Sequence, residues 1–146
     1  MPFTRYAENK ILNEAVGRTG SLDFRNVYIG LSTTTPTESG DTISNITEPS
    51  GNGYARKLIG NSSQSETIMF GAANGGSITN NKQIHFDMAT GSWGTCTYAV
   101  FFDSTGNAIA YGLLVDGNGD AAPITPVANS VPLIPVGGVV LSFDRD

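Results

Sequence analysis

The spacing of apolar positions changes once along the chain, from a helical period to a strand period. Between residues 4 and 16, Ala7, Ile11, Leu12, Ala15 and Val16 recur three and four apart with polar residues between them, which predicts an amphipathic helix. Thr4 can cap its start and Gly17 stands where a left-handed C′ residue is wanted. A helix this short is marginal in isolation, so its stripe must pack, either on its own domain or on a neighbouring subunit.

Beyond Gly17 the pattern turns to short β-rich runs separated by Gly, Asn, Ser, Thr and Pro, and no second helix is evident. Strands are predicted at about residues 27–31, 54–59, 67–70, 83–86, 95–102, 108–115 and 139–143, with a weaker one at 131–136. In the strongest, Cys96, Tyr98, Val100 and Phe102 alternate with Thr95, Thr97, Ala99 and Phe101, the pattern of a central strand. The segment Asp103-Ser104-Thr105-Gly106-Asn107 predicts a tight reversal into the next strand. Pro132 and Pro135 place their segment at an edge, because each removes a ladder donor. Residues 33–53 hold two prolines, three glycines and few apolar side chains, and read as a long exposed contact loop. The fold class that results is mainly β: an antiparallel β-sandwich, jelly-roll-like, with one short N-terminal helix, in a single domain over 1–146.

Charge narrows the functional classes. The chain has 146 residues, 8 Lys and Arg against 13 Asp and Glu, and only 14% charged residues. A nucleic-acid binder needs clustered cations to displace counterions from phosphates, and an anionic membrane surface needs a polybasic segment; neither partner is expected. No signal peptide or membrane-spanning run is expected either, since Arg5, Glu8, Lys10 and Glu14 interrupt the N-terminal region.

Candidate chemistry is sparse. One cysteine, Cys96, and one histidine, His85, exclude an internal disulfide and a Cys/His zinc cluster. His85 has no marked nucleophile beside it and no G-x-S-x-G motif occurs, so no catalytic residue is assigned and the protein is read as a non-enzyme. Asp116-Gly117-Asn118-Gly119-Asp120 imitates the first half of a calcium loop. The second half is missing, with Ala121 at position six, Pro123 at eight and Val127 at twelve, so the segment reads as a turn. No metal or cofactor is expected.

Four segments carry a resemblance: Val27-Tyr28-Ile29-Gly30-Leu31-Ser32; the run from Glu48 to Tyr54-Ala55-Arg56; Ala89-Thr90-Gly91-Ser92-Trp93-Gly94-Thr95; and Phe102-Asp103 through Tyr111-Gly112. Together they resemble a family of small tailed-bacteriophage virion proteins, over most of the chain. Departures are Phe86-Asp87 in place of Phe-Pro, and Cys96-Thr97-Tyr98 in place of Val-Thr-His. The resemblance implies a tail fibre, minor tail or virion-associated protein, and the neutral surface also suits a capsid decoration (cement) protein on the outside of the major capsid shell.

Capsid decoration, as a homo-oligomer contacting the major capsid protein, is the first expectation. A tail fibre or minor tail component contacting tail proteins is the alternative. A carbohydrate-binding β-sandwich, with Trp93, Tyr98 or Tyr111 as an exposed platform, is the rival of another class. Within the motifs, Gly91 and Gly94 let the chain turn on either side of a buried Trp93. Tyr54 and Arg56 share one side, with Arg56 pairing to an acid inside the protein or across a subunit boundary. Phe3, Arg5, Tyr6 and Lys10 are the candidate interface, two apolar anchors and two cations.

Overall fold

A computed structural model describes residues 3–18, 25–61 and 68–142. The chain is mainly β, with antiparallel sheets and one short N-terminal helix, as expected. Helix α1 runs Arg5–Ala15. The strands are β1 Asn26–Ser32, β2 Thr37–Ser39, β3 Thr42–Ser44, β4 Lys57–Asn61, β5 Ser77–Thr79, β6 Ile84–His85, β7 Tyr98–Phe102, β8 Ala108–Leu113, β9 Leu133–Ile134 and β10 Val140–Ser142.

The helix ends are set locally. The Thr4 side chain accepts a hydrogen bond from the Ala7 amide, and the Gly17 and Arg18 amides donate back to Glu14 and Asn13 with Gly17 at a φ of 77°. Thr4 also anchors the helix to β8, since its amide donates to the Ile109 carbonyl and its hydroxyl to the Ala108 carbonyl. Phe3 bridges to Ala110, extending the β8 edge by one residue.

The largest sheet has the order β4-β1-β7-β8, all antiparallel. Both of its faces are covered. On one face Ile29, Leu31, Ile59, Ala99, Phe101 and Ala110 join the main core. Two ribbons lie across that core, β10-β5 and β6-β9, contributing Leu141, Ile84, Phe86, Ile134 and Val139, so the arrangement is sandwich-like. On the other face Val100, Phe102 and Ala108 form a second cluster with Tyr28, Tyr111, Ile43 and Ile46.

That second cluster corrects the reading of residues 33–53 as an open loop. The segment folds into the hairpin β2-β3, and Ile43 and Ile46 are packed on the sheet while the turn at Gly40 and Asp41 stays exposed. Two apolar residues among many polar ones are too thin a pattern to predict this, yet they suffice once a sheet is there to receive them. The alternation through Cys96 needs a correction too. The strand begins at Tyr98, and Cys96 sits ahead of it, bridged to Ile124 and buried in the main core with Ala99 and Phe101. The parity therefore breaks at Thr97, whose amide donates to the Ser32 carbonyl.

The strand predicted at 67–70 lies partly outside the described residues, and its Phe70 makes only an isolated bridge to Asn80. Asn80 is fully buried and fully bonded: its amide group donates to the Lys82 and Pro135 carbonyls and its carbonyl accepts from the Val139 amide. It pins the two ribbons together.

Candidate functional site

The resemblance motifs, distant in sequence, converge on one cluster built around Glu48. The Tyr54 hydroxyl donates to Glu48 Oε1 at 2.7 Å, and Arg56 donates to the same carboxylate twice, from Nε at 3.0 Å and Nη2 at 2.8 Å. The Leu31 amide in turn donates to the Tyr54 hydroxyl at 3.0 Å, tying the group to β1. Tyr54 and Arg56 share one side, and the acid that Arg56 meets belongs to its own chain.

Close approach explains the glycine of the first motif. A Cβ on Gly30 would lie 2.7 Å from both Glu48 Oε1 and the Tyr54 hydroxyl, so a side chain there would drive the carboxylate off its donors. The Arg56 guanidinium lies flat over the buried Phe102 ring, its Cζ 3.5 Å from the ring centre. Burial pushes the Glu48 carboxyl up, but the hydrogen bonds from Arg56 and Tyr54 outweigh it and hold the group below the ordinary carboxylate value. Burial, reinforced by the neighbouring carboxylate, drives the Tyr54 phenol far above its usual value.

Trp93 closes the cluster from the third motif. It is 4% exposed, edge-on to Tyr54 at 5.2 Å and to Phe86 at 6.2 Å. Its indole N–H donates to the Asn52 carbonyl at 2.8 Å. Gly91 admits the Asn52 side chain, which a Cβ would meet at 2.8 Å, and Gly94 takes a φ of 79°. These residues pack and position one another.

The hairpin of the fourth motif turns on Asp103. One carboxylate oxygen accepts from the Thr105 amide, the Thr105 hydroxyl and the Asn107 amide, and the other accepts from the Tyr6 hydroxyl at 2.9 Å. Burial raises its carboxyl and those donors more than offset the rise, leaving it below the ordinary value. Asp103 thus links turn to helix.

The remaining candidates are spread over the molecule. Of the proposed interface residues, Phe3 packs against the main core and Tyr6 faces Asp103. Arg5 is exposed beside Glu8 at 3.4 Å, and the Lys10 ammonium lies over the Tyr6 ring. His85 is exposed on β6 next to Gln83. Cys96 is buried, its thiol pushed up to about 11 by burial. Asp116 caps its own turn by accepting from the Asn118 and Asp120 amides. Among the described residues no three His, Cys, Asp or Glu converge as metal ligands, and no helix is long and apolar enough to cross a membrane. Trp93 is unavailable as a platform, while Tyr98 and Tyr111 are half-buried.

Reasoning from sequence passed over Glu48, Asp103 and Asn80 as key residues. Asp103 carried a local signal, an Asp followed at two and four residues by Thr105 and Asn107. Asn80 carried none, because Pro135 and Val139 reach it from far along the chain, and Glu48 meets Tyr54 and Arg56 six and eight residues on across an irregular segment that no strand or helix period places.

The chain is thus β-rich, and its motif residues pack against one another. The family described as "Podophage GP4 fiber I protein gp80" matches residues 2–120, and the chain belongs to that family. It is therefore a virion-associated fibre protein of tailed phages. No curated protein matches the chain.

Proposed function

We propose that residues 1–146 act as one non-enzymatic structural unit of the phage fibre apparatus, assembling as a homo-oligomer with tail proteins. The observation that carries this reading is the apolar surface left uncovered on the domain. Leu12 and Val16, on the outer side of α1, are 65% and 74% exposed, and Met88, Val127, Val131 and Leu133 are exposed on and beside the β6-β9 ribbon. A surface with few hydrated ions loses little on desolvation, which favours permanent contacts. Arg5 at the start of the same helix and Lys10 at its middle supply charge, and Phe3 and Tyr6 hold its N-terminal end to the domain. The family description favours the tail.

Capsid decoration, on the outside of the major capsid shell, draws on the same neutral surface and remains the second reading. A gold-labelled antibody on intact particles separates them: label at the tail supports the fibre reading, and label over the shell overturns it in favour of decoration.

A further inference from the structure

The step Asn-Gly occurs three times, at residues 52–53, 74–75 and 118–119, each time in a turn. Asparagine before glycine is prone to an intramolecular reaction. The glycine backbone nitrogen, once deprotonated, attacks the asparagine Cγ; the new N–Cγ bond closes a five-membered succinimide, and the side-chain nitrogen takes up a proton and leaves as ammonia. Water then opens the ring at either carbonyl, giving aspartate or isoaspartate, and no other reagent is consumed. Glycine favours the attack because no side chain crowds its nitrogen. The fold decides the rest: the amide nitrogen must be free, and the asparagine side chain must be able to swing onto it.

The three turns differ on both counts. In the turn from Gly51 to Tyr54 the asparagine is clamped. Asn52 Nδ2 donates to the Ser92 carbonyl at 3.0 Å, and the Asn52 carbonyl accepts from the Thr90 amide at 2.9 Å and the Trp93 indole at 2.8 Å. In the turn from Asp116 to Gly119 the attacking nitrogen itself is used, since the Gly119 amide donates to the Asp116 carbonyl at 3.1 Å. The Asp116 carboxylate, seated on the Asn118 and Asp120 amides, also opposes a second negative charge there. In the turn from Asn74 to Ser77 the two end residues exchange both backbone bonds, at 2.8 and 3.1 Å, and Gly75 and Gly76 at φ of 63° and 78° form a two-residue tip. The Gly75 amide lies at that tip. Neither it nor the Asn74 side chain has a hydrogen-bond partner among the described residues, and both residues are exposed. Nothing lies within 4 Å of where a Cβ on Gly75 would stand.

We infer that Asn74 is a site of spontaneous self-modification in the folded protein, converting to aspartate and isoaspartate, while the fold protects Asn52 and slows Asn118. The inference goes beyond the structural role proposed above and does not depend on it. Each conversion adds a negative charge at the hairpin tip ahead of β5. The isoaspartate product also routes the backbone through the former side chain, adding a methylene between the two residues whose bonds close the turn. A virion-associated protein is not renewed after assembly, so the product accumulates with the age of the particle.

The test is peptide mapping by mass spectrometry of the full chain held at mildly alkaline pH, folded in one sample and unfolded in guanidinium chloride in another. Isoaspartate is identified by labelling with an isoaspartyl methyltransferase. The unfolded sample gives the rate each step has without the fold. Against it, the folded chain should convert Asn52 at least about tenfold more slowly, because three hydrogen bonds must open first, and Asn118 about threefold or more slowly, because one must. Asn74 should stay within about threefold of its unfolded rate, as a step that needs no opening does. Its rate should rise with pH, since the attacking nitrogen must lose its proton. Asn74→Thr removes the reacting amide and keeps the backbone bonds of the turn, and should abolish the main acidic species that appears on native isoelectric focusing. Three results would overturn the inference: protection of Asn74 by the fold as strong as that of Asn52, faster conversion of Asn52 or Asn118 than of Asn74 in the folded chain, or an acidic species of undiminished intensity in a folded Asn74→Thr.

Discussion

Replacing Trp93 with alanine tests whether the third motif is a packing device. The indole is 4% exposed between Tyr54 and Phe86. A buried aromatic of this size removes about 200 Å² from water, worth roughly 5 kcal/mol at about 25 cal/mol per Å². That figure is an upper bound, because alanine retains part of the contact and the unfolded chain already hides some area. Truncations of buried aromatics cost about 3–5 kcal/mol, so about 4 kcal/mol is expected for Trp93→Ala. At about 3 °C per kcal/mol for a domain of this length, the melting temperature falls by roughly 12 °C. Trp93→Phe should cost only about 1 kcal/mol. It keeps most of the apolar contact, and the Asn52 carbonyl that loses the indole N–H still accepts from the Thr90 amide at 2.9 Å. Trp93 is the chain's one tryptophan, so its emission reports this site alone during denaturant unfolding. Emission typical of solvated indole in the native protein, or a Trp93→Ala variant within 1 kcal/mol of wild type, would refute the reasoning.

Glu48→Gln should lower stability by about 1–3 kcal/mol, since it replaces a carboxylate holding three charge-assisted or phenolic donors that are part-exposed. The pH response should change with it. Glu48 and Asp103 both titrate below their ordinary values in the folded chain, so their stabilisation is present above the unfolded carboxylate pKa and is lost as pH falls through the folded one. Melting temperatures measured down the acid range should therefore fall less steeply in Glu48→Gln than in wild type; parallel curves would contradict the assignment. Gly30→Ala should destabilise by about 1–3 kcal/mol through displacement of Glu48 and Tyr54, read from denaturant midpoints, and a neutral effect would show that the cluster yields easily. The double variant Leu12→Ser with Val16→Ser should leave monomer stability within about 0.5 kcal/mol and yet reduce incorporation into particles lacking the protein; normal incorporation would remove the helix from the attachment surface.

What could be read from sequence was what short-range geometry decides. Thr4 and Gly17 bounded the helix because caps act within one turn, and the reversal at Asp103 followed from side-chain bonds to amides two and four residues on. Helical periodicity identified the stripe from Ala7 to Val16 but not how much of it is covered: Ala7 is buried, whereas Leu12 and Val16 project away. The helix is held at its N-terminal end through Phe3, Thr4 and Tyr6, and such anchoring by long-range bonds leaves no periodic trace. Strands β2, β3 and β5 were missed for a related reason. Each has three residues, and each is held by its partner more than by its own propensity. In the cluster, Tyr54, Arg56, Trp93 and the glycines were visible as motif residues, while the acid that organises them was not, because nothing near position 48 in sequence marks its carboxylate as the common acceptor.

The distribution of charge connects this cluster to the surface. Two of the acids, Glu48 and Asp103, are used internally, where each is matched by donors in place before any partner arrives. Through the Tyr54 hydroxyl the Glu48 group is tied to β1, and through the Tyr6 hydroxyl the Asp103 turn is tied to the helix. With these two acids engaged internally and only 14% of residues charged, the exterior is sparse in ions. On the assembly proposed above, contact with neighbours comes from shape and apolar area, as at the exposed Leu12, Val16, Val131 and Leu133, and only secondarily from Arg5 and Lys10. Such contacts are weakly screened by salt, which suits a particle component that has to hold in media of varying ionic strength.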